Sequence, residues 1–327
     1  MKRIERIWQG WGPFTLLLLP LSAVYCALTA LRRLCYRLGL LRSVKLPVPV
    51  IVVGNISVGG TGKTPVVVWL AQWLAARGLS PGILTRGYGG GSTQWPRRVE
   101  ADTPAQEVGD EAVLLARRTT CPVYAGPGRV ETARRLLSEQ TCDIILSDDG
   151  LQHYALQRDL ELAVIDGERR FGNGLCLPAG PLRETTSRLH QVDLILTNGQ
   201  AQVGELPFRV YGDQAWPVNG KGSARPLSDF SGRRVAAVAG IGNPERFFRM
   251  LESIGVKISR HVFPDHHPFR PEDLTSLVGI PVLMTEKDAV KCEGFAGEDV
   301  WFVPADAHFD KNFTNQLELL IDRLIHG

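Results

Sequence analysis

The stretch Ser57-Val-Gly-Gly-Thr-Gly-Lys-Thr64 decides the fold, and it lies between an apolar run and a helical pattern. The run Val48-Pro-Val-Ile-Val-Val53 predicts a buried strand, and Pro65-Val-Val-Val-Trp-Leu-Ala71 predicts the first turns of a helix. A strand, a glycine-rich loop, a lysine with a neighbouring hydroxyl and a helix, in that order, are typical of a phosphate-binding loop. A glycine-rich surface turn is the alternative, but a turn requires neither the lysine nor the flanking elements.

The glycines of this loop let backbone N–H groups turn towards an anion without a Cβ clash, and the following helix presents its positive end to the same anion. Lys63 supplies a mobile charge for the β- and γ-phosphates of ATP, and the Thr64 hydroxyl suits Mg²⁺. Ser57 stands where the strict motif has a glycine, and the strand-to-helix context compensates for that departure. The predicted nucleotide contacts are the consecutive residues Ser57, Val58, Gly59, Gly60, Thr61, Gly62, Lys63 and Thr64.

The rest of the chain predicts an α/β fold: a P-loop kinase-like parallel-sheet domain, a smaller second α/β domain and an N-terminal anchor helix. A length of 327 residues suits about two domains, and 44% hydrophobic with 22% charged residues indicates a globular protein. Six cysteines without metal-ligand spacing indicate a reducing compartment. The predicted boundaries are 1–40 for the anchor, 41–203 for the P-loop domain, 204–226 for a linker with strand character and 227–327 for the second domain.

Apolar runs alternate with helical patterns in both predicted domains, as expected for sheets covered on both faces. In the first domain we predict strands at 81–85, 122–125, 143–147, 160–165 and 193–197, and helices at 66–77, 110–118, 130–140 and 184–190. In the second we predict strands at 234–239, 257–262, 281–285 and 300–304, and helices at 244–254 and 311–325. Gly240-Ile-Gly242 could form a dinucleotide-binding turn, but no third glycine follows at the required spacing.

The charge of the chain is unevenly distributed. Residues 1–45 contain eight Lys/Arg residues against the single acid Glu5, a balance of +7, whereas the whole chain carries +3 and its remainder therefore −4. A basic leader on a mildly acidic body is typical of a protein at a membrane surface and argues against a nucleic-acid partner. Nothing in the sequence indicates an obligate protein partner.

The leader itself predicts a membrane anchor. Between Arg6 and Arg32 lie 25 residues without a charge, and residues 14–31 would span about 27 Å as a helix, barely the thickness of the hydrocarbon core. Two prolines in the run make an embedded or tilted anchor an alternative to a full span. A cleaved signal peptide is a further alternative, but it would export an ATP site to a compartment without ATP. The basic residues after the run outnumber those before it, which predicts a cytoplasmic body.

Acidic residues follow the strand predicted at 143–147. Asp148 and Asp149 stand at its carboxyl end, beside the phosphate-binding loop, where carboxylates can hold Mg²⁺ directly or through water. A solvated turn is the alternative, because Asp-Asp-Gly is also turn chemistry. The hydrophobic strand before these residues favours the metal site.

Three further segments could carry chemistry. Arg86, in Thr85-Arg-Gly-Tyr-Gly89, follows another predicted strand and so lies at the same sheet edge. Asp110 and Glu111 open a predicted helix, where an acid can also serve only to match the helix dipole. His266, in Phe263-Pro-Asp-His-His267, lies beside an aspartate on a proline-flanked loop and suits either proton chemistry or a structural role.

These segments together resemble the tetraacyldisaccharide 4′-kinase family, which phosphorylates the disaccharide precursor of lipid A. Any one of them is a weak signal, whereas eight in order, spanning residues 54 to 291, are specific, and the Ser57 departure belongs to the family's version of the loop. The matching segments are Gly54-Asn-Ile-Ser-Val-Gly-Gly-Thr-Gly-Lys-Thr-Pro65, Thr85-Arg-Gly-Tyr-Gly89, Gly109-Asp-Glu111, Asp148-Asp-Gly-Leu-Gln-His153, Leu177-Pro-Ala-Gly-Pro-Leu-Arg-Glu184, Gly240-Ile-Gly-Asn-Pro244, Phe263-Pro-Asp-His266 and Thr285-Glu-Lys-Asp-Ala-Val-Lys291.

The resemblance implies transfer of the ATP γ-phosphoryl group to the 4′-hydroxyl of a tetraacyl glucosamine disaccharide 1-phosphate. It implies that Asp110 is the proton acceptor, paired with His266 from the second domain. Lys63 would act on the phosphates, and the implied Mg²⁺ ligands are Thr64, Asp148, Asp149 and Glu184. Weaker candidates for contacts with the phosphates or the acceptor are Arg86, Glu111, Arg129 and Arg183.

The implied partners are the acylated disaccharide and the membrane surface, with the body on the cytoplasmic face of the inner membrane. Two other functions fit parts of the sequence. A membrane-attached P-loop NTPase switch would hydrolyse ATP without an acceptor, and a kinase for a soluble substrate would leave the apolar leader unexplained.

Overall fold

The computed structural model describes residues 7–277 and 279–326, and the predicted α/β fold is confirmed. Two sheets organise this part of the chain, one of nine strands and one of six. The helices are α1 (Pro13–Arg37), α2 (Lys63–Ala75), α3 (Ala105–Val108), α4 (Asp110–Arg118), α5 (Arg129–Glu139), α6 (Pro244–Ser253), α7 (Pro271–Thr275), α8 (Glu286–Ala289) and α9 (Lys311–His326).

The first sheet contains the strand that leads into the phosphate-binding loop. Its strands are β1 (Val50–Gly54), β2 (Pro81–Thr85), β3 (Arg97–Val99), β4 (Val123–Ala125), β5 (Ile144–Asp148), β6 (Leu160–Asp166), β7 (Leu194–Asn198), β8 (Leu206–Tyr211) and β15 (Asp306–Phe309). Their order is β15-β8-β7-β6-β1-β5-β2-β4-β3, parallel except for the two edge strands, β15 and β3. Because β1 lies between β5 and β6, the acids that end those strands lie beside the loop.

Helices cover both faces of this sheet, as the unbroken apolar strands require. The side chains of α2, α4 and α9 pack on one face, where Leu70, Leu115 and Phe313 are buried. The other face is covered by α5, through Ala133 and Leu136, and by loop segments.

The second sheet has the order β10-β9-β14-β13-β11-β12, with the last four strands parallel. Its strands are β9 (Gln214–Pro217), β10 (Arg225–Pro226), β11 (Arg234–Ala239), β12 (Lys257–Val262), β13 (Val282–Thr285) and β14 (Val300–Val303). The side chains of α6 fill one face, including the fully buried Phe248, and Leu274 and Cys292 lie in the cluster on the other.

The chain crosses between the sheets twice, once after β8 and once after β14. The two connections lie side by side. Gly212, after β8, is so close to the connection after β14 that a Cβ on it would be 2.3 Å from Pro304 O, so only glycine fits. Two arginines of α4 add ion pairs across the same boundary. Arg117 Nη2 lies 2.9 Å from Glu293 Oε2, and Arg118 bonds to Glu286 Oε2 (2.7 Å). Arg118 also bonds to Asp306 of β15, which belongs to the first sheet.

The division between the sheets differs from the expected boundaries. The segment 204–226, expected to be a linker with strand character, contains β8 of the first sheet and β9 and β10 of the second. Residues 306–326 also differ, because β15 pairs with β8 and α9 packs on the first sheet rather than on the second. Local sequence patterns cannot show such a return, since they carry no information on which sheet a strand joins.

Most predicted elements agree with the structure to within a few residues; one predicted helix differs, and several short elements were not predicted. The helix predicted at 184–190 is instead a 3₁₀ helix, Thr186–Gln191, and β3 and α3 had no sequence signal. The sequence patterns also did not predict α7, α8 and β15. All five of these elements are five residues or shorter, which is too short for an apolar period to be recognised.

The helix α1 lies along the body and presents an apolar stripe to solvent. Ser22 on its inner face donates from Oγ to Cys176 O (2.7 Å), and Trp8, just before the helix, donates to Pro178 O (3.0 Å). The outer face carries large apolar side chains at three- and four-residue spacing. Their exposed fractions are 68% for Phe14, 73% for Leu17, 59% for Leu21, 57% for Val24, 60% for Leu28 and 56% for Leu31. By length and composition alone this helix could also cross a membrane.

Candidate active site

The phosphate-binding loop joins the carboxyl end of β1 to α2. Gly62 precedes the helix with φ 99°, in the left-handed region, and a Cβ there would lie 2.9 Å from Asn198 Nδ2. Lys63 and Thr64 occupy the first two positions of α2, at the helix end that attracts an anion. The local conformation is therefore the one that the motif predicts.

Neighbouring segments hold this loop in position. Asn198, which ends β7, donates from Nδ2 to Thr61 O (3.3 Å). Val58 N donates to Pro181 O (2.8 Å), so the segment that contains Arg183 and Glu184 packs against the loop. Ser57 is buried.

The second domain contacts the loop at Gly60. Arg169 donates from Nη2 to Gly60 O (2.5 Å) and from Nη1 to Gly242 O (3.2 Å). Its Nε donates to Asp166, which ends β6 (3.0 Å). The turn at Gly240-Ile-Gly242 therefore packs against the phosphate-binding loop, where a Cβ on Gly242 would lie 2.7 Å from Gly60 N.

Two adjacent aspartates end β5 and begin the next turn in contrasting environments. Asp148 is 4% exposed, and its Oδ1 has no hydrogen-bond partner among residues 7–277 and 279–326. Burial, reinforced by the charge of Asp149, raises the pKa of Asp148 to about 7. Asp149 has φ 49° and pairs with Lys63 (3.5 Å) and Arg183 (2.9 Å). Burial alone would raise the pKa of Asp149, but these two cations outweigh it and lower the pKa below its ordinary value.

Glu184 joins this region through Gln152. Gln152 Nε2 donates to Glu184 Oε1 (2.8 Å), and Tyr154 donates its hydroxyl hydrogen to Oε2 (2.5 Å). Gln152 Oε1 also lies 3.5 Å from Arg183 Nη1, which pairs with Asp149. The predicted metal ligands Asp149 and Glu184 are therefore connected by a short chain of polar side chains.

The two remaining arginines have different surroundings. Arg129 is 3% exposed and donates to two carbonyl oxygens, Gly126 O and Asp148 O, both at 2.8 Å. It therefore fixes the backbone that carries Asp148, and its predicted phosphate contact stays a prediction. Arg86 is exposed just after β2, and together with burial and Arg129 its charge lowers the pKa of His153 to about 4.

The predicted proton acceptor and its histidine meet across the domain boundary. Asp110 opens α4 and is 4% exposed, and its Oδ1 and Oδ2 lie 3.0 and 3.2 Å from His266 Nδ1. His266 adopts φ 60°, an uncommon conformation for a residue with a Cβ, and such residues often lie at functional sites.

Both members of this pair have shifted pKa values. Burial alone would raise the pKa of Asp110, but the hydrogen bond from His266 and the charges of Lys287 and Lys291 outweigh it and lower the pKa. The hydrogen bond to Asp110 raises the pKa of His266, against the effects of burial and Lys287. Asp110 is therefore ionised at neutral pH and can accept a proton.

Two lysines that the sequence interpretation left without a role complete this cluster. Lys287, on α8, donates from Nζ to Glu111 Oε1 (2.7 Å) and to Asp265 Oδ1 (3.2 Å). Lys291 lies 3.6 Å from Asp110 Oδ2. Both belong to Thr285-Glu-Lys-Asp-Ala-Val-Lys291, so the signal was present, but only the folded chain brings these lysines to α4.

The candidate site therefore has two parts, named for their expected roles: a phosphate-binding part on the first sheet and a proton-accepting part at the boundary with the second. Together they define a class of protein, the P-loop phosphotransferases, because a loop that holds phosphates lies in the same fold as a buried, ionised carboxylate.

Comparisons with known proteins identify the family. The family described as Tetraacyldisaccharide-1-P 4′-kinase, LpxK, matches residues 14–322. The chain is similar to the tetraacyldisaccharide 4′-kinases of Nitrosococcus oceani, with 49% identity over 98% of this chain and 94% of the relative, and of Alkalilimnicola ehrlichii, with 52% identity over 93% and 92%. A crystal structure described as the apo form of LpxK from Aquifex aeolicus in complex with ATP has a TM-score of 0.78 and 29% identity, covering 96% of this chain and all of that one.

The chain therefore belongs to the tetraacyldisaccharide-1-P 4′-kinase family. Its activity is the ATP-dependent phosphorylation of the disaccharide precursor of lipid A at the 4′ position, and the resemblance stated from the sequence is confirmed.

Proposed function

We propose that Asp110 accepts the proton of the sugar 4′-hydroxyl while Lys63 and its loop hold the ATP phosphates. The observation that carries this proposal is the contact between Asp110, buried and ionised, and His266 Nδ1 at 3.0 Å. A sugar hydroxyl is almost entirely protonated at neutral pH, so its attack on phosphorus requires a group that takes the proton. As the bond from the 4′-oxygen to the γ-phosphorus forms, the bond from that phosphorus to the ADP oxygen breaks.

The two domains contribute different parts of this reaction. The first domain supplies Lys63, the phosphate-binding loop and Asp110, and the second supplies His266. A site divided in this way is complete only when the domains are correctly placed, which favours reaction with a bound acceptor over hydrolysis by water.

We further propose that Thr64, Asp148, Asp149 and Glu184 hold Mg²⁺. A buried carboxylate oxygen without a hydrogen-bond partner in the described residues, Asp148 Oδ1, suits a cation ligand, and hard oxygen donors are the ligands that Mg²⁺ prefers. When bound, Mg²⁺ would neutralise part of the charge on the nucleotide phosphates. Lys63 and Arg183, both paired with Asp149, would orient phosphate oxygens in this proposal.

The body would work at the cytoplasmic face of the inner membrane, with α1 as its contact. The apolar stripe that includes Leu17 and Leu28 faces away from the body, and the basic residues Arg32, Arg33 and Arg37 follow at the end of the helix. Such a helix suits the boundary between headgroups and acyl chains, where an acylated disaccharide is found. Entry of the substrate would then not require its acyl chains to cross water.

The direct test is incubation of the purified protein with labelled ATP, Mg²⁺ and the tetraacyl disaccharide 1-phosphate, followed by mass analysis of the lipid. We expect a product heavier by one phosphoryl group, and none with Lys63→Ala. A second mass analysis locates the new phosphate on the sugar. ATP hydrolysis at a rate independent of the acylated acceptor, with unchanged lipid, would instead indicate the NTPase switch.

The membrane contact has its own test. Leu17→Asn combined with Leu28→Asn removes apolar area from the stripe without touching its inner face, so the variant should bind vesicles with anionic lipid less tightly than the parent protein. Leu319→Asn, at a residue of α9 that is 61% exposed, is the matched control and should bind like the parent. Equal binding by all three proteins, measured by co-sedimentation, would contradict α1 as the contact.

A further inference from the structure

Lys287 lies at the centre of the proton-accepting part of the site. Its Nζ is 3.3 Å from His266 Nε2, in addition to its contacts with Glu111 and Asp265. Burial alone would lower the pKa of Lys287, but the surrounding carboxylates outweigh it and raise the pKa, so the side chain is an ammonium at any physiological pH. An ammonium has three N–H donors and no acceptor.

This contact determines where the proton of a neutral His266 lies. One ring nitrogen, Nδ1, faces the carboxylate of Asp110, which can only accept a hydrogen bond. The other, Nε2, faces the ammonium of Lys287, which can only donate. Both contacts are satisfied only when the proton is on Nδ1 and the lone pair is on Nε2. The opposite tautomer would place two donors against each other and two acceptors against each other.

The same contact decides which group accepts the substrate proton. An aspartate that receives Nδ1–H would leave Nε2 as a free base, as in hydrolases with an Asp-His pair. Here the ammonium of Lys287 occupies the lone pair of Nε2, so the imidazole has no free acceptor. The carboxylate of Asp110 is then the remaining base of the pair.

We infer that Lys287 is a positioning residue that fixes His266 in its Nδ1–H tautomer and assigns the role of base to Asp110. This inference rests on the proposed function, in which Asp110 takes the proton of the 4′-hydroxyl. It assigns a role to Lys287, the lysine of Thr285-Glu-Lys-Asp, for which the sequence alone indicated none.

The charges around His266 come from three parts of the chain. Asp110 and Glu111 face it from α4 and raise its pKa, whereas Lys287 faces it from α8 and lowers it. Asp265, on its own loop, lies 3.8 Å from Nε2. Two further neighbours in the described chain are Tyr88, whose ring contacts the imidazole edge to face at 5.1 Å, and Lys291, which faces Asp110 rather than the imidazole.

The signs of these neighbouring charges predict how the pKa of His266 changes in two variants. Replacing Lys287 by methionine removes a cation and leaves Nε2 open to protonation beside three carboxylates, so the pKa of His266 should rise. Replacing Glu111 by glutamine removes an anion, so the pKa of His266 should fall. A general loosening of the site would weaken the same contacts in both variants and move both titrations in the same direction, whereas the charge effects move them in opposite directions.

The test measures the imidazole of His266 directly by ¹⁵N nuclear magnetic resonance, with its signals assigned by their loss in His266→Asn. In the parent protein at pH 8 to 9 we expect a protonated Nδ1 and an unprotonated Nε2. In Lys287→Met the titration should move to higher pH, and in Glu111→Gln to lower pH. Lys257→Met, an exposed lysine at the start of β12, is the matched control and should titrate like the parent.

Activity provides a second readout. The acidic limb of the kcat/KM–pH profile should move to higher pH in Lys287→Met. At a pH just below the parental limb, kcat/KM of the variant should therefore be roughly tenfold lower than that of the parent. A neutral His266 that carries its proton on Nε2 would overturn the inference, as would an unshifted titration in folded Lys287→Met. Failure of the proposed function looks different: Asp110→Asn would then retain the parental rate, whatever the tautomer of His266.

Discussion

The two parts of the site differ in how the chain builds them. The phosphate-binding part comes mostly from contiguous residues, since a single loop between β1 and α2 supplies Ser57 to Thr64, and Asp148 ends the neighbouring strand. The proton-accepting part combines Asp110 with His266 and Lys287, residues that are 156 and 177 positions further along the chain. The first part is therefore a product of local conformation, and the second depends on how two domains meet.

This difference predicts a difference in how mutations act. Damage to the phosphate-binding part should affect nucleotide binding and turnover together, because the proposed role of the loop is to hold the ATP phosphates. Damage to the proton-accepting part should leave nucleotide binding intact and slow only the transfer.

The largest effect is expected for Lys63→Ala. In the proposed function this ammonium faces the phosphates in both the ground state and the transition state. Its removal should therefore lower kcat/KM by at least about 10³-fold and weaken ATP binding. Turnover and ATP affinity, measured with the circular dichroism spectrum as a check on folding, test this. Parental turnover in a folded variant would remove Lys63 from the site.

A smaller and more selective effect is expected for Asp110→Asn. The amide keeps the shape of the side chain but cannot take a proton, so kcat should fall roughly 10²–10⁴-fold. The dissociation constant for ATP should stay near the parental value, because the loop is untouched. A variant that loses ATP affinity as strongly as Lys63→Ala would break the distinction between the two parts.

A substitution at the domain boundary, away from the reacting groups, should have the smallest effect on the chemical step. Its main effect should be on the free energy of unfolding. Arg118→Met leaves the buried carboxylate of Glu286 without its arginine partner and also loses the contact with Asp306. The free energy of unfolding should fall by about 3 kcal/mol, the usual cost of removing one partner of a buried pair. Urea denaturation measures this, and addition of Glu286→Gln should restore part of the loss. A parental free energy of unfolding in both Arg118→Met and the combined variant would show that this pair does not stabilise the domain interface.

The sequence could predict the contiguous part of the site almost completely. The conformation of Gly62, the position of Lys63 at the helix start and the aspartates after β5 all follow from local patterns. The proton-accepting pair entered only through the family resemblance, because nothing local places His266 near Asp110.

Other features were beyond any local pattern. The role of Asn198 in supporting Thr61 depends on β7 and β1 ending at the same edge of the sheet. The return of β15 and α9 to the first sheet depends on pairing between strands about 100 residues apart, which a segment of apolar residues does not encode.

The measurement that most directly tests the central claim is a double-mutant cycle on the proton-accepting pair. Turnover is measured for Asp110→Asn, His266→Ala and the combined variant, with ATP binding assayed separately for each. If the two residues act as one unit, each single variant should lose most of the turnover that the pair provides. The loss in the combined variant should then be much smaller than the product of the two single losses. Losses that multiply, with ATP binding unchanged, would contradict a proton acceptor built from Asp110 and His266.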